Sequence, residues 1–199
     1  MPDLIESKEY FEESFKKLEM GESRLVETVF EKCEFIQCDF SSASFTSCKF
    51  IDCLFDRCNL SLVALANTRL SNIEFLGCKL VGIDWTKAYW PRFDFYSQLN
   101  FKDCILSGGS FFALKLHEST FEDCRLHDVD FRNTELNKSV ITGSDLSNSL
   151  FMQTNLESVD FTDSYSFNID IRQNKLSKAK FSQLEALALL RSLDILLVD

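Results

Sequence analysis

Large apolar residues recur at every fifth position along most of this chain. Counting in fives from Leu25 meets only large apolar residues as far as Phe95; after one extra residue, the series resumes at Phe101 and runs to Phe161. Steps of five turn by ~140° around an α-helix and would scatter these residues on all sides. The same step reverses the face of a β-strand. The pattern therefore predicts a chain that turns a corner at every five-residue repeat.

The position two places before each of these central residues is often held by a small residue. Ser, Thr and Ala are common there, and all eight cysteines of the chain occupy this position. A zinc site would favour CxxC pairs, often with histidine, and a disulfide framework suits a short secreted chain. The spacing instead predicts reduced thiols buried beside the large residues. The cysteines are Cys33, Cys38, Cys48, Cys53, Cys58, Cys78, Cys104 and Cys124.

The other three positions of each repeat are mostly polar and are predicted to face solvent. Asp or Asn often stands immediately before the central residue, where its side chain can bond to nearby backbone and stabilise a turn. We expect these residues to form the corners. They are Asp39, Asn59, Asp84, Asp94, Asn100, Asp130, Asp145, Asn155 and Asp160.

Composition and charge narrow the choice of partner. The chain has 199 residues, enough for one domain, and a formal net charge of -10. Nucleic acid and anionic membranes are therefore poor partners, and a basic protein surface is a better one. The N-terminal residues do not resemble a signal peptide, and no stretch approaches the ~18 apolar residues of a membrane span. We expect a cytoplasmic protein.

The sequence offers little catalytic chemistry. His117 and His127 each follow a central leucine and are expected at the surface. Neither HExxH nor GxSxG occurs, and SGGS at 107–110 has no P-loop lysine. We therefore expect no enzyme activity, no cofactor and no metal site.

The repeat resembles the pentapeptide repeat proteins, whose consensus is A(D/N)LXX. The segments GSDLSNSLF at 143–151 and TNLESVDF at 154–161 carry the likeness most clearly, and it extends over roughly residues 8–181. The resemblance implies an all-β solenoid, a right-handed quadrilateral β-helix with four faces of five residues in each coil. Phe35 and Phe55 would then stack inside the rod.

The two ends depart from the repeat. Residues 1–24 keep a weak register and are interpreted as an N-terminal cap and irregular first coil; residues 25–181 form the β-helix. Residues 182–199 are interpreted as a C-terminal element with an α-helix, capped by Ser182 and Glu185, and a short strand in DILLVD. Its apolar residues either cap a monomer or form a two-fold homodimer interface. Those residues are Leu184, Leu187, Leu190, Leu193, Ile195 and Leu197.

Three further segments resemble the gyrase-protecting branch of this family: IDWTKAYWP, NFKDCILSGGSFF and the tail from Ser166. The resemblance implies a homodimer that binds DNA gyrase or topoisomerase IV as a DNA mimic and protects it from drugs. With a single extra residue near 96–100, the chain is similar to members without projecting loops. The alternative is a scaffold or regulatory protein with another partner. The predicted acidic contact residues are Asp128, Asp130, Glu135, Asp145, Glu157, Asp160 and Asp163.

Overall fold

The computed structural model describes residues 7–91, 99–193 and 195, which form a rod of stacked parallel coils. Each strand is two to four residues long and forms one side of a coil. The strands are β1 Glu9–Phe11, β2 Ser14–Lys16, β3 Arg24–Val26, β4 Val29–Glu31, β5 Glu34–Ile36, β6 Ser44–Thr46, β7 Lys49–Ile51, β8 Leu54–Asp56, β9 Arg69–Ser71, β10 Ile73–Leu76, β11 Leu99–Lys102, β12 Thr120–Glu122, β13 Val140–Thr142, β14 Asp160–Phe161 and β15 Lys180–Phe181; two 3-10 helices span Trp85–Lys87 and Glu185–Leu193.

Residues twenty apart lie above one another, and each coil has four sides. Phe35 of β5, for example, pairs with Phe15 of β2 and Phe55 of β8. Face 2 is a nine-stranded parallel sheet from β2 to β15, and about eight turns separate its ends. The predicted four-sided parallel β-helix is confirmed. We number the sides by their central residues: face 1 (Tyr10, Phe30, Phe50), face 2 (Phe15, Phe35, Phe55), face 3 (Met20, Phe40, Leu60), face 4 (Leu25, Phe45, Leu65) and their equivalents in later coils.

The core contains the two inward residues of each repeat. Phe35 and Phe55 stack with ring centroids 4.7 Å apart, and Phe101 and Phe121 stack at 4.9 Å. All eight cysteines are buried and none of them forms a disulfide bond, as the repeat predicts. Burying each aromatic ring stabilises the rod by roughly 2 kcal/mol, so the stacks supply the core that a thin solenoid needs.

The corners require an unusual backbone conformation. The residue two places after the central one has a positive φ in almost every repeat, between 51° and 61° for the non-glycine residues of the described chain. This left-handed conformation costs most residues about 1 kcal/mol, and Asn and Asp tolerate it best. Asp39 and Asn59 also form the predicted side-chain turns, since the Oδ1 atom of each accepts a hydrogen bond from the backbone N–H two residues later.

One coil is longer than the sequence predicts. Phe75 pairs with Phe101, and Cys78 donates its N–H to Cys104 Sγ, an offset of 26 residues instead of the usual 20. The coil thus holds six extra residues in a stretch that includes 92–98, and the prediction of a single extra residue is wrong. A five-residue frame cannot distinguish one from six, because both shift it equally. The predicted central residue Phe95 lies outside the described residues.

The first coil is more regular than predicted. Strands β1 and β2, both before Leu25, pair in register with β4 and β5, and Glu19 bridges to Asp39. Tyr10 and Phe15 are buried and join the two aromatic stacks above them. The weak sequence register there reflects charged residues in the small positions, namely Lys8 and Glu13, rather than an irregular backbone.

The C-terminal helix forms at Glu185–Leu193, but it is a 3-10 helix rather than an α-helix. Leucines at 184, 187, 190 and 193 are spaced by three, which matches the three-residue turn of a 3-10 helix. Ser182 does not cap it with its side chain: Ser182 Oγ donates to Asp163 Oδ1 and accepts from Asp163 N. The strand predicted in DILLVD lies outside the described residues, apart from Ile195.

Candidate interaction surface

The seven predicted acidic residues lie on all four sides of the rod. Their places follow from the twenty-residue register, which puts each side chain on the face of its nearest central residue. They therefore do not form one continuous patch, and only residues that share a face can contact the same flat partner. Glu135 and Glu157 belong to face 1, Asp160 and Asp163 to face 2, Asp128 and Asp145 to face 3, and Asp130 to face 4.

Three of these carboxylates build corners and also hold a cation or a histidine. Asp130 accepts from Arg132 N at 3.1 Å and binds the Arg132 guanidinium through both oxygens. Asp145 Oδ1 accepts from Ser147 N, while its Oδ2 lies 2.7 Å from Nε2 of His127. Asp160 Oδ1 accepts a hydrogen bond from Thr162 N, and its Oδ2 accepts one from Nζ of Lys180 at 2.9 Å. Each of these acids is therefore structural as well as charged.

These contacts lower the pKa values of the three carboxyl groups. The Arg132 hydrogen bond holds the pKa of Asp130 below its usual value. Partial burial works against ionisation of Asp145 and Asp160, yet hydrogen bonds from neighbouring side chains still lower the pKa of each. All three are ionised at neutral pH, but their charge is partly neutralised by the groups that they bind.

The other four predicted residues divide into two kinds. Glu135 accepts from Asn155 Nδ2 at 2.7 Å, and Asp163 is bonded to Ser182. Asp128 and Glu157 are exposed to solvent. Only this second pair offers a carboxylate to a partner without first breaking a contact that the described chain provides.

The sequence interpretation missed two acids at the edge between faces 2 and 3. Asp103 and Asp123 occupy the same corner position in successive coils, with φ values of 54° and 53°, and Asp163 occupies it two coils further on. Gly143 lies between them, and the carboxylate of Asp123 fills the space where a Cβ on Gly143 would lie. We call Asp103, Asp123 and Asp163 the acidic edge. Counting in twenties would have revealed it.

The faces also differ in charge balance. Among the outward positions of the described chain, faces 1 and 4 carry equal numbers of acidic and basic residues, whereas faces 2 and 3 carry more acidic ones. On face 1, charges pair between coils, as in Lys138 with Glu118 at 3.3 Å. The net negative charge of the rod is therefore concentrated on the two faces that meet at the acidic edge.

The predicted dimer residues lie on the outer side of the C-terminal helix. Leu184 is 81% exposed, Leu187 50%, Leu193 40% and Ile195 49%. Leu190 is half-buried, and Leu197 lies outside the described residues. The opposite side of the helix carries Ala188 and Leu189, which pack against the core. We call Leu184, Leu187, Leu190, Leu193 and Ile195 the leucine stripe.

The described residues show no other constellation with obvious chemistry. No group of three or more His, Cys, Asp or Glu side chains in this part of the chain could hold a metal ion. Burial raises the pKa of Cys53 to about 12, so its thiol stays protonated. The described helices include none with the length and apolar character needed to cross a membrane.

The repeat sequence matches a family model described as the pentapeptide repeat region, over residues 28–99 and 94–161. No curated protein sequence matches the chain. Among solved structures, the chain is similar to a trypsin-treated variant of QnrB1, a plasmid-mediated fluoroquinolone resistance protein: identity is 22%, the TM-score is 0.64, and the match covers 98% of this chain and 93% of that chain. HetL, a pentapeptide repeat protein involved in heterocyst differentiation regulation in the cyanobacterium Nostoc sp. strain PCC 7120, has 15% identity and a TM-score of 0.33, with 86% and 84% coverage. At 22% identity the likeness to QnrB1 shows the fold alone.

Proposed function

Because this chain belongs to the pentapeptide repeat family, we propose that it is a non-enzymatic protein that binds DNA gyrase or topoisomerase IV in the cytoplasm. The rod occupies the basic surface that otherwise holds DNA, so it competes with DNA and binds no nucleic acid itself. An inhibitor that needs the enzyme–DNA complex then loses its target, which is how such binding would protect the cell.

The observation that carries this proposal is the distribution of charge on a rigid rod. Nine strands at ~4.8 Å make a length of ~38 Å, and residues 14–181, which span it, have 23 acidic and 19 basic side chains, a net charge of -4. One net charge per ~10 Å is about a sixth of the charge density of DNA, at one per ~1.7 Å. The rod therefore imitates the shape and sign of DNA, and concentration of charge at the acidic edge partly compensates for the lower density.

The similarity to QnrB1 adds support of a different kind. That protein is a plasmid-mediated fluoroquinolone resistance protein, and its fold covers nearly all of this chain. A shared fold does not transfer a function. It does show that a rod of this length and cross-section occurs in a fluoroquinolone resistance protein.

We further propose that two copies join through the leucine stripe as a homodimer. Leu184 at 81% exposure is the most exposed large apolar side chain of the described chain. A two-fold interface would cover the stripe on both copies and extend the rod to about twice its length. The charged surface then matches a longer stretch of duplex without changing its charge density.

A supercoiling assay with purified DNA gyrase tests the function. Wild-type protein should inhibit supercoiling, or relieve drug inhibition, at micromolar concentration, and added salt should weaken the effect. The variant Asp103→Asn/Asp123→Asn removes two charges from the acidic edge, and asparagine tolerates the left-handed corner. We expect at least a fivefold loss of potency.

The matched control removes two charges from the same corner position on face 1, in Asp52→Asn/Glu118→Gln. It should keep at least half of the wild-type potency. If wild-type protein affects neither gyrase nor topoisomerase IV, the proposal fails and the scaffold alternative remains. If both double variants lose potency equally, total charge matters and the acidic edge does not.

A further inference from the structure

We propose that the edge between faces 4 and 1 binds a nucleotide, with its phosphates on a row of cations and its base on the ring of Tyr89. The cations are Lys49, Arg69 and Lys115, which share one outward position of face 1 in different coils, and Lys87 at the adjoining corner of face 4. We call these four residues the basic edge. It lies diagonally across the four-sided rod from the acidic edge, so this site is separate from the surface proposed to bind topoisomerase.

A groove with a volume of about 270 Å³ lies along the basic edge. This volume is close to the lower end, ~300 Å³, of the range for small-molecule sites. Asn67 Nδ2 donates to Ser47 Oγ at 3.2 Å, so the hydroxyl proton of Ser47 is left to bind an anion. Arg69 Nε donates to Ser71 Oγ at 3.1 Å, which fixes the guanidinium beside the groove. The groove is lined by Ser47, Cys48, Lys49, Asn67, Arg69 and Tyr89.

The lysines of the basic edge lack strong partners of their own. Neither Lys49 nor Lys115 has an ion pair with another residue of the described chain. Lys87 Nζ lies 3.7 Å from Asp84 Oδ2, and exposed pairs of this kind contribute little. Two other lysines of face 1, by contrast, pair with glutamates of the neighbouring coil, at 3.3 Å and 3.7 Å. Positive charge is therefore left over here on a rod whose net charge is negative, and it favours an anionic ligand.

The length of the basic edge favours a small ligand. Lys49 and Lys115 are separated by three steps between coils, or ~14 Å at ~4.8 Å per step. The two columns of described residues that carry the basic edge contain no acidic side chain over this length, but Glu27 precedes it and Glu135 follows it. A nucleoside diphosphate or triphosphate fits between these acids, whereas a nucleic acid strand would extend over them. The site is therefore compatible with a rod that binds no nucleic acid.

Tyr89 offers the ring on which the base stacks. Its side chain is 49% exposed on the groove wall. Trp90 Nε1 donates to Trp85 O at 2.8 Å, so the backbone that carries the tyrosine is held in place. The other exposed ring near this edge, Phe112, already faces the Arg132 guanidinium. Base stacking on an aromatic ring tolerates every base, so the geometry selects nucleotides as a class rather than one base.

Isothermal titration calorimetry with ADP tests the inference. Lys49→Gln/Lys87→Gln removes two cations of the basic edge and should weaken ADP binding at least tenfold. Tyr89→Ala removes the ring and should weaken ADP binding at least fivefold, whereas Tyr89→Phe keeps the ring and should stay within twofold of the wild type. The matched control, Lys17→Gln/Lys79→Gln, removes two exposed lysines from faces 2 and 3 and should bind ADP like the wild type.

The outcomes decide the proposal without any topoisomerase in the assay. Inorganic pyrophosphate lacks a base, so Tyr89→Ala should leave its binding unchanged while Lys49→Gln/Lys87→Gln weakens it. The proposal is overturned if ADP at ~1 mM gives no heat of binding, or if both double-lysine variants lose affinity equally, which would show attraction to total charge alone. It is also overturned if Tyr89→Ala binds ADP like the wild type, because the base then does not contact the ring. Thermal unfolding by circular dichroism shows whether each variant is folded.

Discussion

The two halves of the rod, on either side of the six extra residues, solve the same packing problem with different chemistry. In the first half the small inward position is often cysteine; in the second, serine and threonine together are more frequent there than cysteine. Cys58 Sγ donates to Phe35 O at 3.2 Å, and Ser144 Oγ donates to Phe121 O at the same distance. The donor and the carbonyl are 23 residues apart in both cases.

This comparison separates what the position requires from what it tolerates. It requires a side chain that fits inside the coil, as the buried Ala43 and Val129 show; where that side chain is a thiol or hydroxyl, it donates to a carbonyl of the neighbouring coil. The position tolerates either a thiol, which is a weak donor, or a hydroxyl for this contact. The contacts between small inward residues of successive coils continue across the longer coil. Cys78 N donates to Cys104 Sγ at 3.4 Å, and Cys124 N donates to Ser144 Oγ at 3.0 Å. The extra residues therefore leave the core unchanged.

The largest expected effect comes from removing a stacked ring in either half. Phe55 lies between Phe35 and Phe75, and Phe121 stacks on Phe101. Phe55→Ala and Phe121→Ala should each lower the free energy of unfolding by about 3–5 kcal/mol, because a buried cavity replaces each ring. Urea unfolding measures both. A loss below about 1 kcal/mol in one half would mean that this half lacks the packed core described above.

The small position should give the next largest effect, and here the halves should differ. Ser144→Ala removes the donor to Phe121 O and the acceptor of the Cys124 N–H, leaving buried groups unpaired at a cost of about 2 kcal/mol. Cys58→Ser keeps both kinds of bond and should change stability by less than about 1 kcal/mol. Equal losses in the same urea experiment would show that size alone matters at this position.

Acid should weaken the second half before the first. Hydrogen bonds hold the pKa of Asp130, Asp145 and Asp160 below the ordinary value of 3.8, and Asp39 is the counterpart in the first half. A folded pKa below the unfolded one stabilises the protein above the unfolded value, and this stabilisation is lost as the pH falls through the folded pKa. Hydrogen exchange measured at pH 7 and pH 3 should therefore show that acid increases backbone opening more in residues 119–165 than in the first half of the rod.

The control for this prediction is Asp145→Asn, which keeps the Oδ1 acceptor at the corner but cannot titrate. Around Ser147 and His127, this variant should show a smaller difference in hydrogen exchange between pH 7 and pH 3 than the wild type does. A uniform rise in exchange along the whole rod would contradict the assignment of acid sensitivity to the second half.

The smallest expected effect is stabilising and should be equal in both halves. Leu62 and Ala113 occupy left-handed corners with φ of 60° and 58°. Leu62→Asn and Ala113→Asn should each raise the free energy of unfolding by about 0.5–1 kcal/mol, because asparagine tolerates this conformation better. The reverse change, Asn67→Ala, should lower it by a similar amount. Thermal unfolding measures all three variants. If the asparagine variants were destabilised, or Asn67→Ala were stabilised, the argument from corner strain would be refuted.

The sequence predicted the cross-section because each repeat carries its own signal. A large residue every five places and a small one two places earlier define what points inward, and Phe35, Cys53 and Phe55 all lie where this pattern puts them. It could not reveal the six extra residues, since its frame repeats every five. The pairing of Phe75 with Phe101 depends on contacts between coils, which no local pattern records.

The candidate surface was less predictable than the core. The seven predicted acidic residues all lie within 128–163 of the sequence, whereas their grouping on the surface depends on their position within a coil of twenty. Asp103 and Asp123 share a corner for that reason. The role of Ser182 was also hidden, because its bond to Asp163 joins two coils and replaces the expected helix cap.

Competition with DNA tests the central claim most directly. A labelled DNA duplex bound to purified gyrase would be titrated with this protein, and fluorescence anisotropy would report the DNA that remains bound. The account predicts complete displacement at micromolar protein, weaker displacement as salt rises, and a rightward shift for Asp103→Asn/Asp123→Asn but not for Asp52→Asn/Glu118→Gln. Binding of the protein to gyrase that leaves the DNA in place, or no binding at all, would contradict it.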